Sequence, residues 1–136
     1  MCPGWAAVMI GLYRWLALLI TILIFAQAAL AGRFLFVDHD AVDIHQVVAN
    51  ALSVLVVVHV ALVFVTRTKW SQRAPILTTL LAILVIVQTG LGYAGRESAD
   101  VLAIHVPVGV LTFGVASLMT AVAFSEESKI QRTEKY

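Results

Sequence analysis

A chain of 136 residues that is 61% hydrophobic and only 12% charged has too little polar surface to cover a water-soluble fold. Its formal net charge of +1 supplies no field for holding a polyanion, so nucleic acid is not an expected partner. With only nine basic and eight acidic residues, the positions of the charges matter more than their sum.

Four apolar runs are each long enough for the roughly 20 helical residues that cross a bilayer. They predict helices at about residues 8–33, 44–66, 75–95 and 101–124, followed by a polar tail, 125–136, that is frayed or a short helical extension. Backbone groups in hydrocarbon must pair within their own segment, which selects helices. A barrel strand needs alternating polar and apolar residues, and the run 52–58 lacks that pattern. The expected fold is an all-α integral membrane protein, a single domain over 1–136 forming a four-transmembrane-helix bundle in the lipid bilayer.

In chain order, Cys2 is the only cysteine and cannot form an intramolecular disulfide. The apolar run after Arg14, ending in Ala29-Leu30-Ala31 before Gly32, has the outline of a cleavable leader. It is also the counterpart of the third helix and is read as a retained span. An acidic outer loop holding Asp38, Asp40 and Asp43 leads into the second helix, which opens on His45. A basic inner loop ends at Pro75, a good first-turn residue because its missing N–H would have no helical partner anyway. The third helix closes at Gly95-Arg96, and Asp100 is the expected N-cap of the fourth, with His105 and Pro107 placed in its first turn or so.

If both termini are cytoplasmic, the inner side carries Arg14, Arg67, Lys69, Arg73, Lys129, Arg132 and Lys135, and the outer side only Arg33 and Arg96. Seven basic residues against two is a positive-inside signal. A multi-pass plasma-membrane protein with both ends inside is expected.

The chain also repeats itself. Asp40, Ile44 and His45 fall in the pattern D-x-x-x-I-H, and Asp100, Ile104 and His105 repeat it sixty residues later. Upstream, Gln27 with Gly32-Arg33 answers Gln88 with Gly95-Arg96. Two hairpins of equal orientation result, related by an axis along the membrane normal, as in parallel repeats. His45 and His105 therefore lie at one depth, near the outer face. Two imidazoles facing each other suggest the axial ligands of one haem b iron. Ala49 and Gly109, four residues on, are small enough to leave the ring plane clear, and Arg33 and Arg96 are placed to meet the propionates.

His59 lies fourteen residues beyond His45, about 21 Å of helix and nearly whole turns, so it points the same way at greater depth. The matching position after His105 is Met119, and His/Met is a haem ligation, so these two form a candidate second site. The plain reading is a hydrogen bond from His59 to Ser53, Thr66 or a carbonyl, with Met119 as packing. Gln27 and Gln88 are read as interhelical hydrogen bonds, with a contact to the haem edge or a quinone head as the functional alternative. Asn50 is read in the same way, and His39 is a solvated loop residue.

Gln88-Thr89-Gly90-Leu91-Gly92, a polar loop, and Ile104-His105 opening the next helix resemble the hairpins of haem A synthases. Proteins of that family look like two four-helix halves, each with a helix-borne histidine pair near the outer face. This chain resembles one such half over nearly all its length, and the arrangement is also similar to other four-helix b-type cytochromes. The resemblance implies a haem scaffold with His45 and His105 as its ligands. Expected functions are electron transfer, then haem handling or redox sensing, in an electron carrier or subunit rather than a stand-alone enzyme. A quinone or a respiratory redox protein is the expected partner, and a homo-oligomer is compatible with the pattern. Oxidation of the haem A synthase kind is a lesser expectation. The alternative is a cofactor-free structural or assembly subunit of a membrane complex.

Overall fold

The computed structural model describes residues 3–67 and 70–133. Four helices follow in order, α1 (Pro3–Phe36), α2 (Ala41–Val65), α3 (Arg73–Ala94) and α4 (Ala99–Thr133). Each contains a segment long and apolar enough to cross a membrane, Ala7–Phe36, Ala41–Val65, Arg73–Ala94 and Ala99–Glu126. Cys2, Lys69 and Lys135 lie outside the described residues.

Neighbouring helices pack in a closed ring, α1 on α2, α2 on α3, α3 on α4 and α4 back on α1. The short connections make these neighbours antiparallel, an up-down-up-down bundle. The pairs α1/α3 and α2/α4 are therefore diagonal, as two repeated hairpins require.

The buried residues explain the packing. On α1 they are Ile10, Tyr13, Ala17, Ile20 and Ile24, and on α2 Leu52, Val56, His59 and Val63. On α3 they are Ala74, Thr78, Leu81 and Val85, and on α4 Thr112, Ala116, Met119 and Ala123. Steps alternating between three and four residues give the narrow seam of left-handed, coiled-coil-like packing. Alanines on that seam let the backbones approach in a medium where lipid is as apolar as leucine. Large side chains such as Trp15, Ile22, Phe25 and Ile86 point outward, into what would be the acyl chains.

Several boundaries shift from the sequence expectation. Helix α1 starts at Pro3 rather than near residue 8, and the tail 125–136 takes its helical form as far as Thr133. Asp100 is not the N-cap. The helix begins at Ala99, and the Ser98 hydroxyl accepts the Val101 N–H at 3.5 Å, leaving Asp100 in the first turn facing the positive helix end. Pro107 is the ninth residue of α4, counted from Ala99, so it lies two turns in and leaves the Ala103 carbonyl without its helical N–H. Pro75, the third residue of α3, sits in the first turn as expected. The loop between α1 and α2 is held by Asp38, whose carboxylate accepts the Asp40 N–H at 3.1 Å and pairs with Arg33 at 3.3 Å. At the other end of the bundle, Ser71 donates its N–H and hydroxyl to Glu126, joining the loop before α3 to α4.

Candidate functional site

The tight seam stops short of the end of the bundle that carries the α1–α2 and α3–α4 loops, the end expected to face outward. Between Ile24 and the end of α1, between Ala41 and Leu52, and from Val85 to Thr112, no described residue is fully buried. The bundle axis at that level is occupied instead by half-buried Gln27, His45, Gln88 and His105, two from each hairpin.

His45 is the fifth residue of α2 and His105 the seventh of α4. The diagonal arrangement brings their rings together, with centroids 6.4 Å apart and planes inclined by 60°. Two imidazoles on one metal ion, each with a nitrogen about 2.0–2.1 Å away on opposite sides, put the centroids roughly 6.3 Å apart. The spacing thus fits a pair of axial ligands. Nδ1 of each ring is buried and has no hydrogen-bond partner. Phe34 packs edge-on against His45 at 6.0 Å, and a Cβ on Gly92 would come within 3.3 Å of His105 Cε1, so Gly92 makes the seat for that ring. Two imidazoles at this spacing are the residues here that could hold a metal ion or a haem iron between them.

The two glutamines form the interhelical hydrogen bonds expected of them, but onto the histidines themselves. Gln27 Nε2 donates to the His45 carbonyl and Gln88 Nε2 to the His105 carbonyl, each at 2.9 Å. This corrects the role read for Gly109. A Cβ there would lie 2.9 Å from Gln88 Nε2, so the gap that Gly109 leaves is taken by the glutamine amide rather than left open for a ring. Ala49, half-buried at the matching place, gives its carbonyl to the Ser53 hydroxyl at 3.1 Å.

Arg33 and Arg96 are both exposed near the outer ends of α1 and α3. Arg33 pairs with Asp38, while Arg96 donates to the Gln46 side chain and lies 5.1 Å from the Tyr93 ring. Such exposed pairs are worth no more than about 1 kcal/mol, so either guanidinium can exchange its partner for an incoming carboxylate. Tyr93 also donates to Asn50 at 3.3 Å. His39 lies in the exposed loop with its ring on the Phe34 carbonyl at 3.1 Å.

The second level is built differently. His59 and Met119 are both fully buried, and each has protein partners of its own. His59 Nε2 donates to the Tyr13 carbonyl at 3.2 Å, and the Tyr13 ring stacks on the imidazole at 4.2 Å. The Tyr13 hydroxyl reaches Thr78 at 2.8 Å, and the Thr78 hydroxyl points to the Met119 sulfur at 3.7 Å. Trp70 closes the cluster against Tyr13 at 4.6 Å. Tyr13 and Thr78 belong to the other diagonal pair of helices, α1 and α3. Sequence reading missed them because each, taken alone, is an ordinary polar residue in an apolar run. An asymmetry was visible, since His59 has methionine as its repeat partner.

Among the described residues no group of three or more His, Cys, Asp or Glu is placed to hold a metal ion. The chain matches no protein-family model, no curated protein and no solved structure.

Proposed function

We propose that the protein is a haem b-binding membrane protein whose His45 and His105 clasp the iron near the outer face. The observation that carries this reading is the meeting of two diagonal imidazoles at ligand spacing. The resemblance of the repeat to haem A synthases points the same way.

The bound haem would supply reversible one-electron chemistry. The chain's part is to fix two neutral imidazoles at one depth, keep lipid from them, and offer Arg33 and Arg96 at the rim. Electron transfer with a quinone or redox protein at the outer surface is the role that needs no further groups. The hydrogen-bonded and stacked Tyr13–His59–Trp70 level beneath favours a haem count of one. Titration of the detergent-solubilised chain with haem b is expected to saturate at one equivalent. A second tight equivalent would restore the His59/Met119 site, and no saturable binding would refute the clasp.

The charge asymmetry supports a plasma-membrane protein with both termini in the cytoplasm. In intact cells a membrane-impermeant thiol reagent is expected to label a His39→Cys chain at once, and native Cys2 only after permeabilisation. The reverse pattern would invert the topology and place the haem at the inner face.

A further inference from the structure

A polar side chain in a bilayer commonly finds another side chain across the helix interface. Gln27 and Gln88 do something narrower, each donating to the main-chain carbonyl of the histidine in its own hairpin at 2.9 Å. Those carbonyls lie within helices, where the N–H four residues on already takes one lone pair. The glutamine takes the other. Each bond ties the backbone of a histidine to the neighbouring helix and so sets where its ring stands. In the second hairpin the glycines accommodate this arrangement, Gly109 under the Gln88 amide and Gly92 under the His105 ring.

Four buried polar atoms at this level lack partners: Gln27 Oε1, His45 Nδ1, Gln88 Oε1 and His105 Nδ1. They fall on the two pairs already joined. A glutamine oxygen needs a donor. An imidazole that gives Nε2 to a metal carries a proton on Nδ1 and needs an acceptor, which metal-bound histidines almost always have.

We propose that Gln27 and Gln88 are the positioning residues of the histidine pair. Each holds its histidine by the main chain and offers its amide oxygen, directly or through one water, to that ring's Nδ1–H. This rests on the haem reading above. Loss of the acceptor makes the imidazole a poorer donor to the iron, so the oxidised state is less stabilised and the midpoint potential rises.

The full chain loaded with haem b, as wild type and as Gln27→Leu, Gln88→Leu and Gly109→Ala, tests this. Each variant is expected to raise the midpoint and to show a high-spin fraction absent from wild type. Gly109→Ala should reproduce Gln88→Leu because its new methyl collides with the amide. Gly114→Ala, where an added Cβ meets nothing within 4 Å, should match wild type. Leucine variants with wild-type potential and spin state would overturn the proposal. A haem-free arm separates it from the cofactor assignment. In a Cys2→Ser background, His45→Cys and His105→Cys are joined by a short bifunctional thiol reagent, and Gln27→Leu or Gln88→Leu should slow the cross-link several-fold. An unchanged rate would overturn the positioning role. A wild-type chain that takes up no haem, with cross-linking still slowed in the leucine variants, would remove the haem reading and leave the positioning role standing.

Discussion

Replacing either His45 or His105 with alanine is expected to turn a six-coordinate, low-spin haem into a five-coordinate, high-spin one. Haem retention should fall by at least about 10²-fold, since even loss of an outer-shell partner of a metal ligand typically lowers affinity 10–100-fold. The effect should be equal for the two positions. They stand at one level on diagonal helices, and their rings share one 6.4 Å gap. The double variant should bind no haem. His39→Ala supplies the control, because that imidazole sits in the exposed loop on the Phe34 carbonyl. Optical and electron paramagnetic resonance spectra of the four variants read the outcome. A low-spin spectrum surviving in either single alanine variant would mean that the replaced histidine is not a ligand.

The second large effect is on stability, at the opposite end of the bundle. Tyr13→Ala removes the stack on His59, the contact with Trp70 and the hydroxyl that satisfies Thr78. Aromatic-to-alanine changes in water-soluble cores cost about 3–5 kcal/mol. In lipid the hydrophobic part is weaker while the lost packing and the lost hydrogen bond to Thr78 remain, so on the order of 2–3 kcal/mol is expected. Met119→Leu keeps volume and apolarity and should cost under about 1.5 kcal/mol. Reversible unfolding in mixed detergent micelles measures both. Neither change should alter the haem spectrum, because the Tyr13 cluster lies nearly four helical turns below the outer pair. A Met119→Leu chain that loses one of two redox midpoints would show the inner level to be a second haem site.

Much of the architecture was legible in the residues because a bilayer narrows the choices. Four apolar runs could only be helices, and their short connections could only make antiparallel neighbours. Duplication did the rest. Two copies of D-x-x-x-I-H at the start of two descending helices placed His45 and His105 at equal depth before any contact was known. The start of α4 was less legible, since Ser98 and Asp100 are both good caps and only the hydrogen bond to Val101 separates them. The partners of the histidines were harder still. Gln27 and Gln88 were visible as a matched pair, but sequence carries no sign that their targets are the His45 and His105 carbonyls. Gly109 was misread for the same reason, since a missing Cβ shows that something approaches without saying what. The inner level depended on Tyr13 and Thr78, which are sixty-five residues apart and belong to no repeat. Side-chain meetings of that kind follow from three-dimensional packing and from no local pattern.

One measurement bears most directly on the clasp. The protein purified from haem-supplied cells is expected to be red, with a Soret band that shifts on dithionite reduction and a low-spin spectrum typical of two axial imidazoles. A colourless preparation that stays so after incubation with haem b would contradict it.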